Sequence, residues 1–291
     1  MRAKKPRTEQ LATGIVLFGT GGTPRSSPST GSVDGVRRIR ELGLDCMELE
    51  FVQGVKMGEE TAAVVRQAAE EANVKLTCHA PYFINLSSTE PKKVEDSVKR
   101  IYDSARIGAL CGADGVVFHP GFYMGRTSEQ VYPIIRKGIE KVLTMMKKEK
   151  IKGVWLRPEL TGKGSQFGDI DELLRLSRDL ENVLPCVDFS HLHARSGGKC
   201  NTYAEFAEVI EKIGNTLGDA ALQNMHIHLS GIEYSDKGER QHLLVDESDM
   251  NYGDVLKVLV DYKISGKVVC ESPNLEGDAL IFQREYLRLK E

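Results

Sequence analysis

The sequence has no C-x-x-C pair, no apolar run near the length of a bilayer span, no G-x-G-x-x-G after its first predicted strand and no large excess of one charge. Each absence removes a class of protein. The six cysteines, at 46, 78, 111, 186, 200 and 270, are scattered singly, mostly within apolar strand-like runs. They read as small buried hydrophobes in a reducing compartment, not as a disulfide framework or a paired-thiol metal site. A helix needs roughly 20 apolar residues to cross a bilayer, so no membrane association is expected. Residues 1–13 carry Arg2, Lys4, Lys5 and Arg7 but no apolar signal-peptide core. They read as a basic, frayed extension ahead of a single domain spanning 14–291. The chain is expected to be a cytoplasmic monomer. Its 39 basic and 42 acidic residues leave a formal charge of −3. A polyanion would therefore be bound only through positive charge gathered on one face or supplied by metal ions.

What is present is a regular alternation. Eight short apolar, β-branched runs occur at Gly14–Gly19, Cys46–Val52, Lys75–His79, Gly115–His119, Gly153–Glu159, Leu184–Phe189, Met225–Leu229 and Lys267–Glu271. Charged stretches with helical spacing lie between them, among them Ser32–Leu42, Met57–Ala72, Pro91–Cys111, Thr127–Lys150, Asp169–Leu180, Thr202–Leu217 and Tyr252–Tyr262. Unbroken strand–helix alternation predicts parallel βαβ units. Eight such units with no linker predict one closed (β/α)8 TIM barrel, a fold that commonly takes about 250 residues. A doubly wound open sheet is the alternative, with fewer strands and a glycine-rich fingerprint that is missing here.

The ends of the predicted strands carry the chemistry. His79, His119, Glu159, Asp188, His228 and Glu271 fall at or beside successive strand ends, with gaps of 40, 40, 29, 40 and 43 residues. A barrel brings all its C-terminal strand ends to one face, so three imidazoles and three carboxylates would converge there. A lone histidine at a strand end is usually a satisfied rim or core residue. Six ionisable groups packed together without a cation, however, would suffer both desolvation and like-charge repulsion. The mixture suits zinc, with manganese as the alternative. His226 and His228 share one face of a strand. His228 is nearer the mouth and the better ligand, while His226 lies a layer deeper. Asp188 and His191, three residues apart across a strand end, are spaced to serve neighbouring ions, and His193 is spare. All seven histidines are expected outside helices, His242 in the loop after the seventh strand.

These residues resemble endonuclease IV, the zinc-dependent apurinic/apyrimidinic endonuclease family, from about Gly14 to Pro273. His79-Ala80-Pro81-Tyr82 with Ile84-Asn85-Leu86 is similar to the family's H-A-P-Y-x-I-N-L block, and Val117 to Gly121 to its V-F-H-P-G block. Glu159 with Gly162, Gly164, Ser165 and Gly168 resembles its glutamate and G-x-G-S-x-x-G loop. Cys186 to His191 resembles C-x-D-x-x-H, His228-Leu229 the H-L pair, and Glu271-Ser272-Pro273 the E-T-P block. The resemblance implies two or three zinc ions per chain. His79 and His119 would bind the first, with Glu159 bridging to a second completed by Asp188, His228 and Glu271. His191 would help hold a third, with a D-x-H pair on the loop after strand seven. His242 fits that pair's histidine, but Arg240 stands where its aspartate is expected. Arginine offers no lone pair, so Asp236 or Glu239 would have to substitute, or the third site is weak or absent. The Glu48–Met57 stretch does not resemble the DNA-penetrating loop expected there, and Glu48 and Glu50 are left without a role.

The resemblance further implies hydrolysis of the phosphodiester 5′ to an abasic site, leaving a 3′-hydroxyl, with Glu159 as the carboxylate nearest the attacking water. The partner would be double-stranded DNA with abasic sites, and the chain would be nucleoid-associated in a prokaryote. Tyr82 could stack on the opened duplex, although rim packing explains its position equally well. Backbone contacts would come from loop cations including Lys163, Arg195 and Lys237. The glycines at 19–23 and 162–168 could cradle phosphate, but tight βα turns call for glycine first. Two other classes remain open. A sugar isomerase or epimerase on the same barrel would use about four ligands, mostly carboxylates, round one or two manganese or magnesium ions. A binding protein that has lost catalysis would be consistent with Arg240.

Overall fold

A computed structural model describes residues 14–291, so the basic extension predicted at 1–13 lies outside the described residues. Eight parallel strands form one sheet: β1 (Val16–Gly21), β2 (Cys46–Glu50), β3 (Lys75–His79), β4 (Gly115–Phe118), β5 (Trp155–Pro158), β6 (Cys186–Asp188), β7 (Met225–Leu229) and β8 (Gly266–Cys270). They lie in the order β5-β4-β3-β2-β1-β8-β7-β6. The two edges meet through parallel bridges, Leu156 with Val183 and Glu159 with Cys186. Leu184 N donates to Leu156 O at 3.1 Å and Leu160 N to Cys186 O at 3.0 Å. The sheet is thus nearly closed into the expected TIM barrel.

The outer layer is helical. Around the barrel run α1 (Ser32–Glu41), α2 (Glu59–Ala72), α3 (Pro91–Cys111), α4 (Ser128–Lys148) and α5 (Ile170–Asp179). Local chemistry sets their ends. Proline opens α3, where a missing N–H costs nothing, and Gly112 at φ 80° stops it. Thr127 with Gln130 and Asp169 with Glu172 form capping boxes at α4 and α5. After β6 come α6 (Phe189–Arg195), α7 (Tyr203–Leu217), the one-turn α8 (Asp219–Leu222), α9 (Tyr252–Asp261) and α10 (Glu276–Lys290). The sequence reading did not anticipate α10. It completes the outer ring by setting Tyr286 against Phe18 of β1, with ring centroids 5.3 Å apart. Among the described residues, no helix is long and apolar enough to cross a membrane.

Several expected strand ends were too long, for one recurring reason. His119, Glu159 and Glu271 sit one residue past the last residue of their strands, where pairing thins to single contacts such as the Glu159–Cys186 bridge. Strand β6 ends at Asp188 because Asp188 caps α6, its Oδ1 accepting from His191 N at 2.7 Å. His191 and His193 therefore lie in a helix, correcting the expectation that no histidine would. The segment after β7 is also ordered, as an antiparallel hairpin of Gly231–Ser235 with Gly238–Leu243, so His242 lies on a strand.

The barrel interior is polar. Glu48 on β2 touches His226 and His228 on β7, although β1 and β8 separate these strands in the sheet. The contacts must therefore cross the barrel. Interior positions alternate with apolar ones such as Met47, Leu49, Leu76, Ile227 and Val268, which are buried.

Candidate metal centre

The six strand-end residues do converge. The ligand atoms of His79, His119 and Glu159 lie within 4.8 Å of one another, as do those of Glu159, Asp188, His228 and Glu271. Glu159 belongs to both groups. Its Oε2 is 2.9 Å from His119 Nε2 and 3.1 Å from His79 Nε2, and its Oε1 is 3.3 Å from His228 Nδ1. A third group joins His191, Glu239 and His242. Glu159 Oε1 also approaches His191 Nδ1 at 3.2 Å, so the groups form a continuous cage.

The backbone fixes which nitrogen each imidazole presents. A carbonyl oxygen can only accept, so a ring nitrogen facing one carries the proton. His79 Nδ1 faces Ala80 O at 2.7 Å, His191 Nδ1 faces Leu160 O at 2.9 Å and His242 Nδ1 faces Glu271 O at 3.0 Å. In all three, Nε2 is therefore the nitrogen that can offer a lone pair to a cation once its own proton has left. His228 is turned the other way. Its Nε2 lies 2.9 Å from Glu48 Oε1, leaving Nδ1 between Glu159 Oε1 and Glu271 Oε2, each 3.3 Å away. Metal-binding imidazoles are usually oriented in this way, through a carbonyl or carboxylate on the far nitrogen.

The cage fits cations by a direct test. Glu159 Oε1, Asp188 Oδ2 and His228 Nδ1 are buried and have no hydrogen-bond partner. Donor atoms buried this close together need positive charge among them, which a bound cation would supply in place of the protons that the nearby carboxylates favour on His191 and His228. Mixed imidazole and carboxylate donors suit zinc or manganese.

The electrostatics agree. Burial opposes ionisation of Glu159, yet the imidazoles of His119, His191 and His228 hold its carboxyl well below the usual range. Burial likewise opposes ionisation of Glu271, and His228 and His242 bring it down to about 2. Burial would strip the proton from His79, but the hydrogen bond to Glu159 and the nearby carboxylates push it up to about 10. His226 behaves otherwise. Desolvation outweighs Glu48 there and lowers it to about 4. It stays neutral one layer below the mouth, behind Glu48.

The third group departs most from what the sequence suggested. The hairpin has a bulge. Glu233 pairs with Gln241 and Tyr234 with Glu239, so Arg240 is the extra residue. A bulge breaks the two-residue alternation of a strand. Glu239 and His242, three apart, consequently face the same side, and Glu239 Oε2 comes 3.5 Å from His191 Nε2. Arg240 points away to Glu233 at 2.7 Å, and Asp236 lies exposed in the turn. Of the two substitutes considered, the fold brings Glu239 to the group.

Two carboxylates left without a role also reach the centre. Glu48 is fully buried against Thr77, His226 and His228. Glu50 lies beside Glu48 and Glu271, and burial pushes its carboxyl up to about 8. The signal was present in β2: Glu48 and Glu50 alternate with apolar Met47 and Leu49, which assigns the acids to the interior face.

The expected DNA contacts divide. Tyr82 is exposed at the rim, its ring 5.8 Å from that of His79. Lys163 is half-buried and Lys237 exposed on loops at the mouth. Arg195 turns inward, its Nη1 meeting Lys163 O at 2.6 Å and Thr161 Oγ1 and Gln166 O at 3.1 Å.

The xylose isomerase-like TIM-barrel family model matches residues 36–290. An uncharacterized protein of Methanocaldococcus jannaschii is 46% identical over 275 residues, covering 94% of this chain and 98% of that one. A probable endonuclease 4 of Mycoplasma pneumoniae is 26% identical over 204 residues, 68% of each chain. Among solved structures, endonuclease IV from Thermus thermophilus aligns with a TM-score of 0.73 at 20% identity, covering 93% and 99% of the two chains. A D-tagatose 3-epimerase-like protein aligns with a TM-score of 0.72 at 18% identity, covering 94% and 98%. At such identities the structural matches speak for the fold alone.

Proposed function

The chain belongs to the xylose isomerase-like TIM-barrel family, and from that premise we propose that it is a divalent-metal-dependent endonuclease. Its reaction is hydrolysis of the phosphodiester 5′ to an abasic site in duplex DNA, leaving a 3′-hydroxyl. One observation carries this reading: of five donor groups among the described residues, three join in one cage round Glu159, two of them with two histidines each. A one-metal sugar enzyme would need a single group.

His79, His119 and Glu159 would hold one ion, Glu159, Asp188, His228 and Glu271 a second, and His191, Glu239 and His242 a third, with imidazole-rich donor sets that suit zinc. Bound there, such ions supply charge neutralisation for a phosphodiester and acidify water. The protein's own part is positioning. Glu159, kept ionised by its imidazoles, accepts a hydrogen bond from the attacking water and aims it. Glu48 keeps the His228 Nδ1 lone pair turned toward Glu159 and Glu271. Tyr82 offers an exposed ring for a duplex opened at the lesion, where a missing base makes nucleotide extrusion least costly. Lys163 and Lys237 supply backbone contacts at the mouth.

The test is a duplex carrying one tetrahydrofuran abasic analogue, which cannot undergo β-elimination. The expected result is a chelator-sensitive nick whose 3′ end a polymerase extends. No nick with metal-loaded protein would refute the proposal. A second reading, a sugar epimerase, is favoured by the carboxylate-rich group Glu159–Asp188–His228–Glu271, which alone could hold one ion. A purified chain with one manganese and no zinc would support that reading instead.

A further inference from the structure

The third ligand group is assembled from parts outside the barrel sheet. His191 rides on α6, and Glu239 and His242 on the hairpin. Between them lies the segment from Leu160 to Gly168, anchored at its far end where Gln166 and Phe167 pair antiparallel with Phe122 and Gly121. That segment touches both carriers. Leu160 O receives His191 Nδ1, and Gly162 O accepts from Glu239 N at 3.0 Å. The packing at Gly162 leaves no room: a Cβ there would sit 2.6 Å from Glu239 Cβ and 3.1 Å from His191 Cδ2.

Arg195 lies one turn beyond His191 on the same helix. Its Nη1 faces Thr161 O at 3.3 Å, Thr161 Oγ1 at 3.1 Å, Lys163 O at 2.6 Å and Gln166 O at 3.1 Å. Its Nη2 donates to Tyr123 OH at 3.3 Å. Tyr123 in turn donates to Glu172 at 2.9 Å, and Glu172 Oε2 accepts from Gly168 N at 2.9 Å. One guanidinium thus ties the loop oxygens, met by Nη1, to Tyr123, met by Nη2, a span that a single ammonium nitrogen does not reproduce. We infer that Arg195 is a positioning residue for the third metal site, locking α6, the 160–168 loop and the hairpin into one body, and is not a contact to the DNA backbone. The inference rests on reading His191, Glu239 and His242 as a metal site.

Metal content decides it, independently of nuclease activity. Zinc per chain is counted after dialysis for the parent, Arg195→Gln, Arg195→Lys and Gly162→Ala, with thermal melting of the chelated proteins as the control for folding. The expected result is three zinc ions in the parent and two in Arg195→Gln and Gly162→Ala. Arg195→Lys keeps the charge but also loses the third ion, because one ammonium cannot reach both the loop oxygens and Tyr123 OH. The chelated variants still melt in one cooperative transition, at somewhat lower temperature than the parent. Fewer than three ions in the parent would remove the site itself. Three ions in the parent and in Arg195→Gln would refute the positioning role while leaving the nuclease proposal intact. The opposing reading, a phosphate contact, predicts unchanged zinc and a salt dependence of abasic-duplex binding reduced by about one in slope; that outcome would also overturn the inference.

Discussion

The first two ligand groups and the third are built on different principles. His79, His119, Glu159, Asp188, His228 and Glu271 stand at or just past the ends of β3 to β8, and the hydrogen-bonded ladder fixes their spacing. His191, Glu239 and His242 stand on a short helix and a bulged hairpin, linked through a glycine-containing loop. The strand-end groups inherit their precision from the barrel. The third must be held by side chains, and it is the one whose sequence pattern departs from expectation. A rigid scaffold lets some ligands be read from spacing, whereas ligands on loops depend on contacts that no spacing encodes.

Substitutions can break that contrast, beginning with the residue the first two groups share. Glu159→Gln keeps the shape but removes the charge bridging them. Cleavage of the abasic duplex should fall about 10²–10³-fold, the scale of losing a group that touches reacting atoms. A nicking assay on folded protein checks this, and unchanged turnover would remove Glu159 from its role. Glu48→Ala should weaken binding of the second ion by roughly 10–100-fold, the range for carboxylates behind ligating histidines. Titration of zinc against a competing chelator measures it, and an unaltered affinity would separate His228 from Glu48. Glu239→Ala should lose one ion and keep two. Arg240→Ala, at the outward bulge, should lose none and change turnover less than about twofold, as most surface substitutions do little. If Arg240→Ala lost the ion and Glu239→Ala did not, the bulge would be misassigned.

Acidity offers a subtler probe. In the metal-free chain His79 is raised to about 10, so near pH 7 its ring holds a proton that a cation must displace. Metal uptake should therefore release protons, and affinity should rise from pH 6 to pH 8. Calorimetry in two buffers of different ionisation enthalpy reads the release. Uptake with no proton release would mean that His79 is not a ligand.

How much was legible follows the same divide. The barrel showed in the strand–helix alternation, and the six strand-end donors in their near-constant gaps. The hairpin was invisible, because its strands are short and carry charged residues instead of an alternating apolar face. The choice of Glu239 over Asp236 was hidden for a related reason. Two-residue spacing points to Arg240, and only the extra residue of a bulge turns the chain so that Glu239 faces His191. Helix α6 was masked because Asp188 acts both as ligand candidate and as helix cap, so the strand seemed to run on. Arg195 read as a loop cation because sequence cannot show that four oxygens are waiting for it.

The most direct test of the whole account is anomalous diffraction at the zinc edge from crystals of the zinc-loaded protein. The account predicts three peaks, at His79–His119–Glu159, at Glu159–Asp188–His228–Glu271 and at His191–Glu239–His242. A single peak confined to the carboxylate-rich group would contradict it.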